Sequence, residues 1–399
     1  MDVFVARQPI FDRVKKIYAY ELLFCSGMSN AFPHVDGETA TSSLLSSSFF
    51  TIGIDIIASG KPAFINFTEE LLLNGVPQMF PKDSTVIEIL ETIAVTMPLI
   101  VACRALHDAG YKLALDDFVY QGEKQVALIE MAEIIKIDFR STPMAEIEKM
   151  VTEFRPYGCQ LLAEKVESNA EFNQAVAMGF HYFQGYFFAR PEVLKNKDIS
   201  ASQLTILQLI ERIHTMEFNV EQLEKLINQD VSISYKLLNY LNSVYFSRLS
   251  PISSISQALA FLGERGVRLF VSLIATSKLA AGKPTELLRM SIIRARFLQN
   301  LAETAGENSN DAFLLGLFSL LDAMLDNSME RILGRLPLRE AVKTALIERR
   351  GKLFSYINLV ECYERCQWET VDELLTTMNI LPETVLELYM DAVNMANQM

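Results

Sequence analysis

The chain holds 399 residues, half of them apolar and 21% charged, which is enough to build two packed domains and argues against disorder. With 36 Lys and Arg against 49 Asp and Glu the net charge is −13, so general binding to nucleic acid or to an acidic membrane surface is disfavoured. The opening MDVFVARQPIF lacks the basic start and apolar run of a secretory signal, and the longest uncharged stretch, 39–54, is broken by Ser, Thr and Gly; neither export nor a membrane span is expected, and the expected location is the cytoplasm.

In chain order, short β-rich runs recur at 3–8, 17–24, 62–67, 86–90, 112–116, 134–138, 160–164 and 182–188. Most lie roughly 20 to 25 residues apart, room for a turn, a helix and another turn, as at 97–109 and 169–178. Residues 1–195 are therefore read as α/β, a TIM-like (β/α) barrel of eight strands. Residues 11–16 are too few for a crossover helix, so the first two strands are expected to pair antiparallel.

Beyond 195 the spacing turns helical. Leu204, Leu207, Ile210 and Ile213 share one face, as do Leu223, Leu226 and Ile227, then Leu237, Leu238 and Leu241; 314–325 reads as one deeply buried helix. Residues 200–399 are read as an all-α domain. Five cysteines (25, 103, 159, 362, 366) are scattered and odd in number, which fits buried or free thiols rather than a disulfide framework. Cys362 and Cys366 share a helical face, but no His follows His214 to complete a zinc site.

Polar residues interrupt the first half at one recurring place, the C-terminal end of each strand. Glu21, Asn66, Glu88, Asp116 with Asp117, Asp138, Glu164 and Gln184 all stand there. Those ends converge on one mouth in a β/α barrel, so six carboxylates crowd one cleft, an arrangement that divalent cations relieve. The donors Glu21, Asn66, Glu88, Asp116, Asp117 and Glu164 are all oxygen, which selects Mg²⁺ or Mn²⁺ over zinc or copper. Lys136, two residues before Asp138 and hence on the same strand face, can orient a water or meet a phosphate oxygen. Two hard cations with a lysine suit phosphodiester hydrolysis, and equally a proton abstraction of the enolase type; spacing leaves both open.

The motifs resemble those of the EAL-type cyclic di-GMP phosphodiesterase domain. Gln8-Pro9-Ile10 resembles its opening strand, Glu21-Leu22-Leu23 its Glu-Ala-Leu, Ile65-Asn66-Phe67 its Asn motif and Glu88-Ile89-Leu90-Glu91 its Glu-x-x-Glu. Leu115-Asp116-Asp117-Phe118, Lys136-Ile137-Asp138, Ala163-Glu164-Lys165-Val166-Glu167, and Gln184-Gly185-Tyr186 with Pro191 resemble Asp-Asp-Phe, Lys-Ile-Asp, Ala-Glu-Gly-Val-Glu and the closing Gln-Gly-Tyr and Pro. The resemblance implies one ion held by Glu21, Asn66, Glu88 and Asp116 and another by Asp116, Asp117 and Glu164. It further implies Lys136, Glu164 and Glu21 in catalysis, with Gln8, Asp138, Glu167, Gln184, Pro191 and Glu91 around substrate and site. The substrate implied is c-di-GMP, opened to pGpG.

Residues 200–399 resemble an HDOD domain, through stretches such as Tyr235-Lys236-Leu237-Leu238-Asn239-Tyr240 and Phe313-Leu314-Leu315-Gly316. Lacking the His set of HD hydrolases, this half is expected to be a non-catalytic output module that binds a protein partner; a homodimer is also in keeping with the family. Two departures from the EAL pattern stand out. Phe24-Cys25 occupies the place of a phosphate-gripping Arg, so Cys25→Arg is expected to tighten c-di-GMP binding, and the loop 119–125 is not the usual Gly- and Ser-rich one. They give weight to an alternative, a catalytically inactive EAL–HDOD protein acting as c-di-GMP receptor or protein-binding scaffold.

Overall fold

Eight strands close into a barrel in chain order: β1 (Phe4–Asp12), β2 (Ile17–Cys25), β3 (Ala63–Phe67), β4 (Thr85–Ile89), β5 (Lys112–Leu115), β6 (Ile134–Asp138), β7 (Gln160–Glu164) and β8 (Tyr182–Gln184). The structure is a computed structural model that describes residues 4–25, 54–118, 125–190, 199, 201–215, 252, 254–336 and 338–397. β1 runs antiparallel to both β2 and β8, and the other neighbours are parallel. A turn over 13–16, closed by Asp12 Oδ1 accepting from the amides of Val14 and Lys16, produces that reversal. Between the later strands lie α1 (Glu69–Leu73), α2 (Met97–Asp108), α3 (Val126–Ile129), α4 (Met144–Phe154) and α5 (Asn169–Met178). Their starts are fixed locally: Thr68, Thr96 and Ser168 each cap a helix by accepting from an amide three residues on.

Alternation along the strands divides the barrel interior into layers. Ile10, Ala19, Phe64, Val86, Ala114, Ile134 and Leu162 form one buried apolar layer. Two residues further along each parallel strand, on the same face, come Glu21, Asn66, Glu88, Asp116, Lys136 and Glu164, and Gln184 stands likewise two beyond Tyr182. In β1, which runs the other way, the equivalent step leads backward from Ile10 to Gln8, which pairs with Glu21. The apolar layer is thus the floor of a polar one at the mouth.

The strand read over 182–188 stops at Gln184, and a 3₁₀ turn follows over Tyr186–Ala189. Gly185 causes the break: its φ is 139°, and a Cβ there would lie 2.1 Å from the Val166 carbonyl oxygen. That approach lets the Val166 amide donate to Gln184 O (2.9 Å), fixing Gln184 at the mouth.

The chain divides into two compact units, Met1–Arg190 with Ser355–Met399, and Pro191–Phe354. In the second unit, α6 (Ala201–Thr215) packs Ile213 on Ala258, Leu259, Val267, Phe270 and Val271 of α7 (Ile255–Leu279), which is broken at Gly263. α8 (Thr285–Thr304) and α9 (Ser309–Phe318) follow, then α10 (Leu321–Leu325), α11 (Met329–Leu333) and α12 (Glu340–Lys343); the single helix read over 314–325 is two, interrupted at Ser319–Leu320. α8 and α9 cross where Gly316 leaves no room for a side chain, and Ser291 Oγ donates to Leu317 O across the contact (2.5 Å). A Cβ at Gly316 would sit 2.5 Å from backbone atoms of Arg294 and Ala295. Gly316→Ala is accordingly expected to destabilise this unit by about 1 to 3 kcal/mol. Thermal unfolding of the variant indistinguishable from that of the parent chain would contradict so close a crossing.

The final helices α13 (Lys352–Glu364), α14 (Trp368–Met378) and α15 (Pro382–Asn397), which sequence places in the helical half, group from Ser355 onward with the barrel. Tyr363, fully buried against Trp368 and Tyr389, donates its hydroxyl to Val5 O of β1 (2.9 Å). Asn397 donates to Ile56 O (2.6 Å) and accepts from Ser59 Oγ (2.6 Å), while Ser59 Oγ also accepts from Arg7 of β1 (2.9 Å). No helix among the described residues is long and apolar enough to cross a membrane. Cys103, Cys159, Cys362 and Cys366 are free, and burial pushes the Cys103 thiol up to about 11.

Candidate active site

Lys136 is the centre of the polar layer. Its side chain is 1% exposed, and Nζ lies 2.7 Å from Glu88 Oε1, 2.7 Å from Asp116 Oδ1, 2.8 Å from Glu164 Oε1 and 3.4 Å from Glu21 Oε2. Four strands on both sides of β6 thereby aim carboxylates at one ammonium. Around them, Asn66 Nδ2 donates to Glu21 Oε1 (3.2 Å), and Gln184 Nε2 donates to Glu21 Oε2 (2.7 Å) and Gln8 Oε1 (2.9 Å). Glu21, Asn66, Glu88, Asp116, Lys136, Glu164 and Gln184, all singled out by the strand-end reading, thus lie together, with Gln8 beside Gln184.

Strict alternation would send Asp117 to the outside of the barrel. Its φ of 39° breaks the alternation and turns it to the mouth, where Lys165 Nζ lies 3.5 Å from Asp117 Oδ2 and 2.5 Å from Asp138 Oδ2. Asp138 Oδ1 accepts from the amides of Arg140 (2.6 Å) and Ser141 (3.0 Å). Lys165 was not singled out by sequence; its φ of 53°, a conformation that favours glycine, has no signature in the residue itself. Glu167 stands on the rim rather than in the centre, bound at Oε2 by Arg140 (2.8 Å) and Arg190 (2.7 Å). Its amide donates to Glu171 Oε2 (2.7 Å) beside the Ser168 cap. Glu91 is exposed beyond β4, and residues 119–124 of the loop 119–125 lie outside the described residues, as do Pro191 and the side chain of Cys25.

The electrostatics follow from burial among like charges. Glu88 is pushed well above the usual carboxylate range by desolvation first and then by Glu21, against the pull of Lys136. Glu164 moves the same way, again chiefly by desolvation, with Lys136 opposing and Asp116, Glu21 and Asp117 adding. For Lys136, desolvation is the largest influence and pulls down, yet the four carboxylates together hold the ammonium well above its ordinary value. Burial also raises Asp138, but Lys165 and the Ser141 and Arg140 amides outweigh it and leave the carboxyl lowered.

As they stand, the carboxylates close on Lys136 rather than on a common point, and among the described residues no three Asp, Glu, His or Cys side chains form a metal-binding group. The donor chemistry nevertheless fits hard cations. Asn66 Oδ1, both Glu88 oxygens and Asp117 Oδ1 are buried acceptors that receive no well-aligned hydrogen bond. Six carboxyl groups face only Lys136 and Lys165, an excess of oxygen donors that suits hard divalent ions.

The EAL domain family matches residues 46–191 and the HDOD domain family residues 201–328. Over 375 residues the chain is 38% identical to cyclic di-GMP phosphodiesterase CdgJ of Vibrio cholerae, covering 93% of this chain and 87% of that protein. It is 36% identical over 405 aligned positions to the uncharacterized protein YuxH of Bacillus subtilis, covering 98% of each. Solved structures with similarity include an EAL domain protein from Listeria monocytogenes (20% identity, 47% of this chain and 87% of that one, TM-score 0.35). Another is the Klebsiella pneumoniae BlrP1 manganese/cy-diGMP complex (21% identity, 47% and 55%, TM-score 0.37).

Proposed function

Because this chain belongs to the family of proteins that join an EAL domain to an HDOD domain, we propose that its barrel hydrolyses c-di-GMP to pGpG with two divalent cations and that its helical unit is a non-catalytic output module for a protein partner. The observation that carries this reading is the buried polar layer: Glu21, Glu88, Asp116 and Glu164 around Lys136, with acceptor oxygens on Asn66, Glu88 and Asp117 that receive no well-aligned hydrogen bond. Glu21, Asn66, Glu88 and Asp116 would hold one ion, and Asp116, Asp117 and Glu164 the other. A pair of Mg²⁺ or Mn²⁺ ions supplies neutralisation of the phosphodiester charge and a more acidic water.

The chain's own residues do the rest. Lys136, an ammonium and so a donor only, keeps the surrounding carboxylates in place and, where cations draw those carboxylates away from it, would donate a hydrogen bond to the attacking water. Glu21 and Glu164 each present an oxygen toward Lys136, and one of them accepts the single proton that the water loses as its oxygen bonds to phosphorus. The bond from phosphorus to the ribose 3′ oxygen breaks, and that oxygen leaves with the proton the carboxylate took up. Gln184 donates to Glu21 Oε2, the oxygen that also faces Lys136, and is itself fixed through Gly185.

Asp116 enters both ion sites, so it offers the sharpest test of them. Asp116→Ala is expected to weaken Mn²⁺ binding by at least the roughly 10- to 100-fold that loss of a supporting contact alone brings. Asn66→Ala weakens it less; the barrel stays folded in Asp116→Ala because removing a carboxylate relieves crowding, and in Asn66→Ala because the charges of the layer are unaltered. Calorimetric titrations identical to those of the parent protein in both variants would remove the ligand assignment.

A further inference from the structure

We propose that Lys165 is a specificity-determining residue of this site, its ammonium contacting a phosphate oxygen of the cyclic dinucleotide; the proposal rests on the function just given and adds to it a residue that the strand-end pattern does not predict. Lys165 follows Glu164 directly at the end of β7. Strand alternation would turn residue 165 away from the mouth, and the left-handed backbone at φ 53° returns it there. A lysine stands at a backbone conformation that L side chains rarely adopt, where glycine would sit without strain.

Its surroundings show what the charge can reach. Asp138 Oδ2 at 2.5 Å and Asp117 Oδ2 at 3.5 Å account for two of the three ammonium donors, while the side chain remains 53% exposed, so the third is open to an incoming acceptor. Lys136, 1% exposed and surrounded by four carboxylates, offers no such open donor. Arg140 and Arg190, on the same rim, both bond to Glu167. Lys165 is therefore the cation, among the described residues, that combines an exposed ammonium with direct contact to Asp117. Lys165 also occupies Asp117 Oδ2, leaving buried Asp117 Oδ1 as the acceptor without a hydrogen bond. A phosphate drawn to the Asp117 and Glu164 side of the layer meets the free donor, a charge-assisted contact.

The full-length protein, Lys165→Met and Lys165→Arg are compared by equilibrium titration with c-di-GMP in Ca²⁺, by Mn²⁺ calorimetry and by thermal unfolding. Lys165→Met is expected to weaken c-di-GMP binding about 10-fold or more while leaving Mn²⁺ affinity and melting close to those of the parent, and Lys165→Arg to restore most of the loss. In turnover the loss falls on KM rather than kcat. Unchanged c-di-GMP affinity in Lys165→Met would overturn the proposal. So would a parallel loss of Mn²⁺ affinity, which assigns Lys165 to holding Asp117 alone, or a failure of Lys165→Arg to rescue. If the parent protein itself does not bind c-di-GMP, the functional reading falls and this proposal falls with it, an outcome distinct from the others.

Discussion

Lys136→Met is expected to lower turnover by about 10³-fold or more while tightening, not weakening, the binding of divalent cations. The ammonium touches Glu21, Glu88, Asp116 and Glu164 in a site that is almost fully buried, so its removal leaves four carboxylates facing one another. Breaking such a network costs about 3 to 5 kcal/mol in the metal-free protein, a fall in Tm of roughly 6 to 20 °C for a unit of this size. Cations bound among the exposed charges offset that loss, so added Mn²⁺ raises the Tm of the variant by more than it raises the Tm of the parent. Paired melting curves with and without Mn²⁺, together with a turnover assay, separate the two consequences. A variant that turns over at the parent rate would reduce Lys136 to a structural counter-ion.

Cutting the chain after Phe354 is expected to leave a barrel that does not unfold cooperatively, although every strand and every proposed ligand remains. The truncation removes the buried Tyr363, Val371, Leu375, Val385, Tyr389 and Val393, each contributing about 1.5 to 3 kcal/mol through its burial. It also removes the hydrogen bond that Tyr363 makes to Val5 O. The first strand is the sensitive place, since it pairs with β8 only over Ile10, Phe11 and Asp12 while Phe4 to Pro9 run on along β2 alone. Tyr363→Phe isolates one part of the effect and should cost about 1 to 3 kcal/mol, the penalty for leaving a buried carbonyl without its donor. Scanning calorimetry of the truncated protein and of Tyr363→Phe tests both. A 1–195 fragment that melts as sharply as the barrel in the full chain would show that the tail helices are dispensable.

The polar layer was legible in sequence because it obeys a period of two: Ala19 to Glu21, Phe64 to Asn66, Val86 to Glu88 and Leu162 to Glu164 each step from floor to mouth. The antiparallel start was legible from a link too short to cross over. Asp117 and Lys165 were harder, since a left-handed residue after a strand reverses the face on which a side chain falls, and nothing in Asp or Lys announces it. The end of β8 was misread for a related reason, as aromatic residues 186–188 have strand propensity but Gly185 bends the chain before them. Residues 352–397 were read only as part of the all-α half, which says nothing of what their helices pack on; the residues that bring them to the barrel, Tyr363 and Asn397, act through single hydrogen bonds to backbone far away in sequence.

The central claim, that this mouth cleaves a cyclic dinucleotide, is tested most directly by incubating the purified full-length protein with Mn²⁺ and c-di-GMP and separating the products by chromatography. The account predicts that c-di-GMP disappears as pGpG appears in equal amount, that Mg²⁺ or Mn²⁺ is required, and that a chelator stops the reaction. Recovery of intact c-di-GMP from protein shown to bind both the nucleotide and the metal would contradict it and leave a receptor in place of an enzyme.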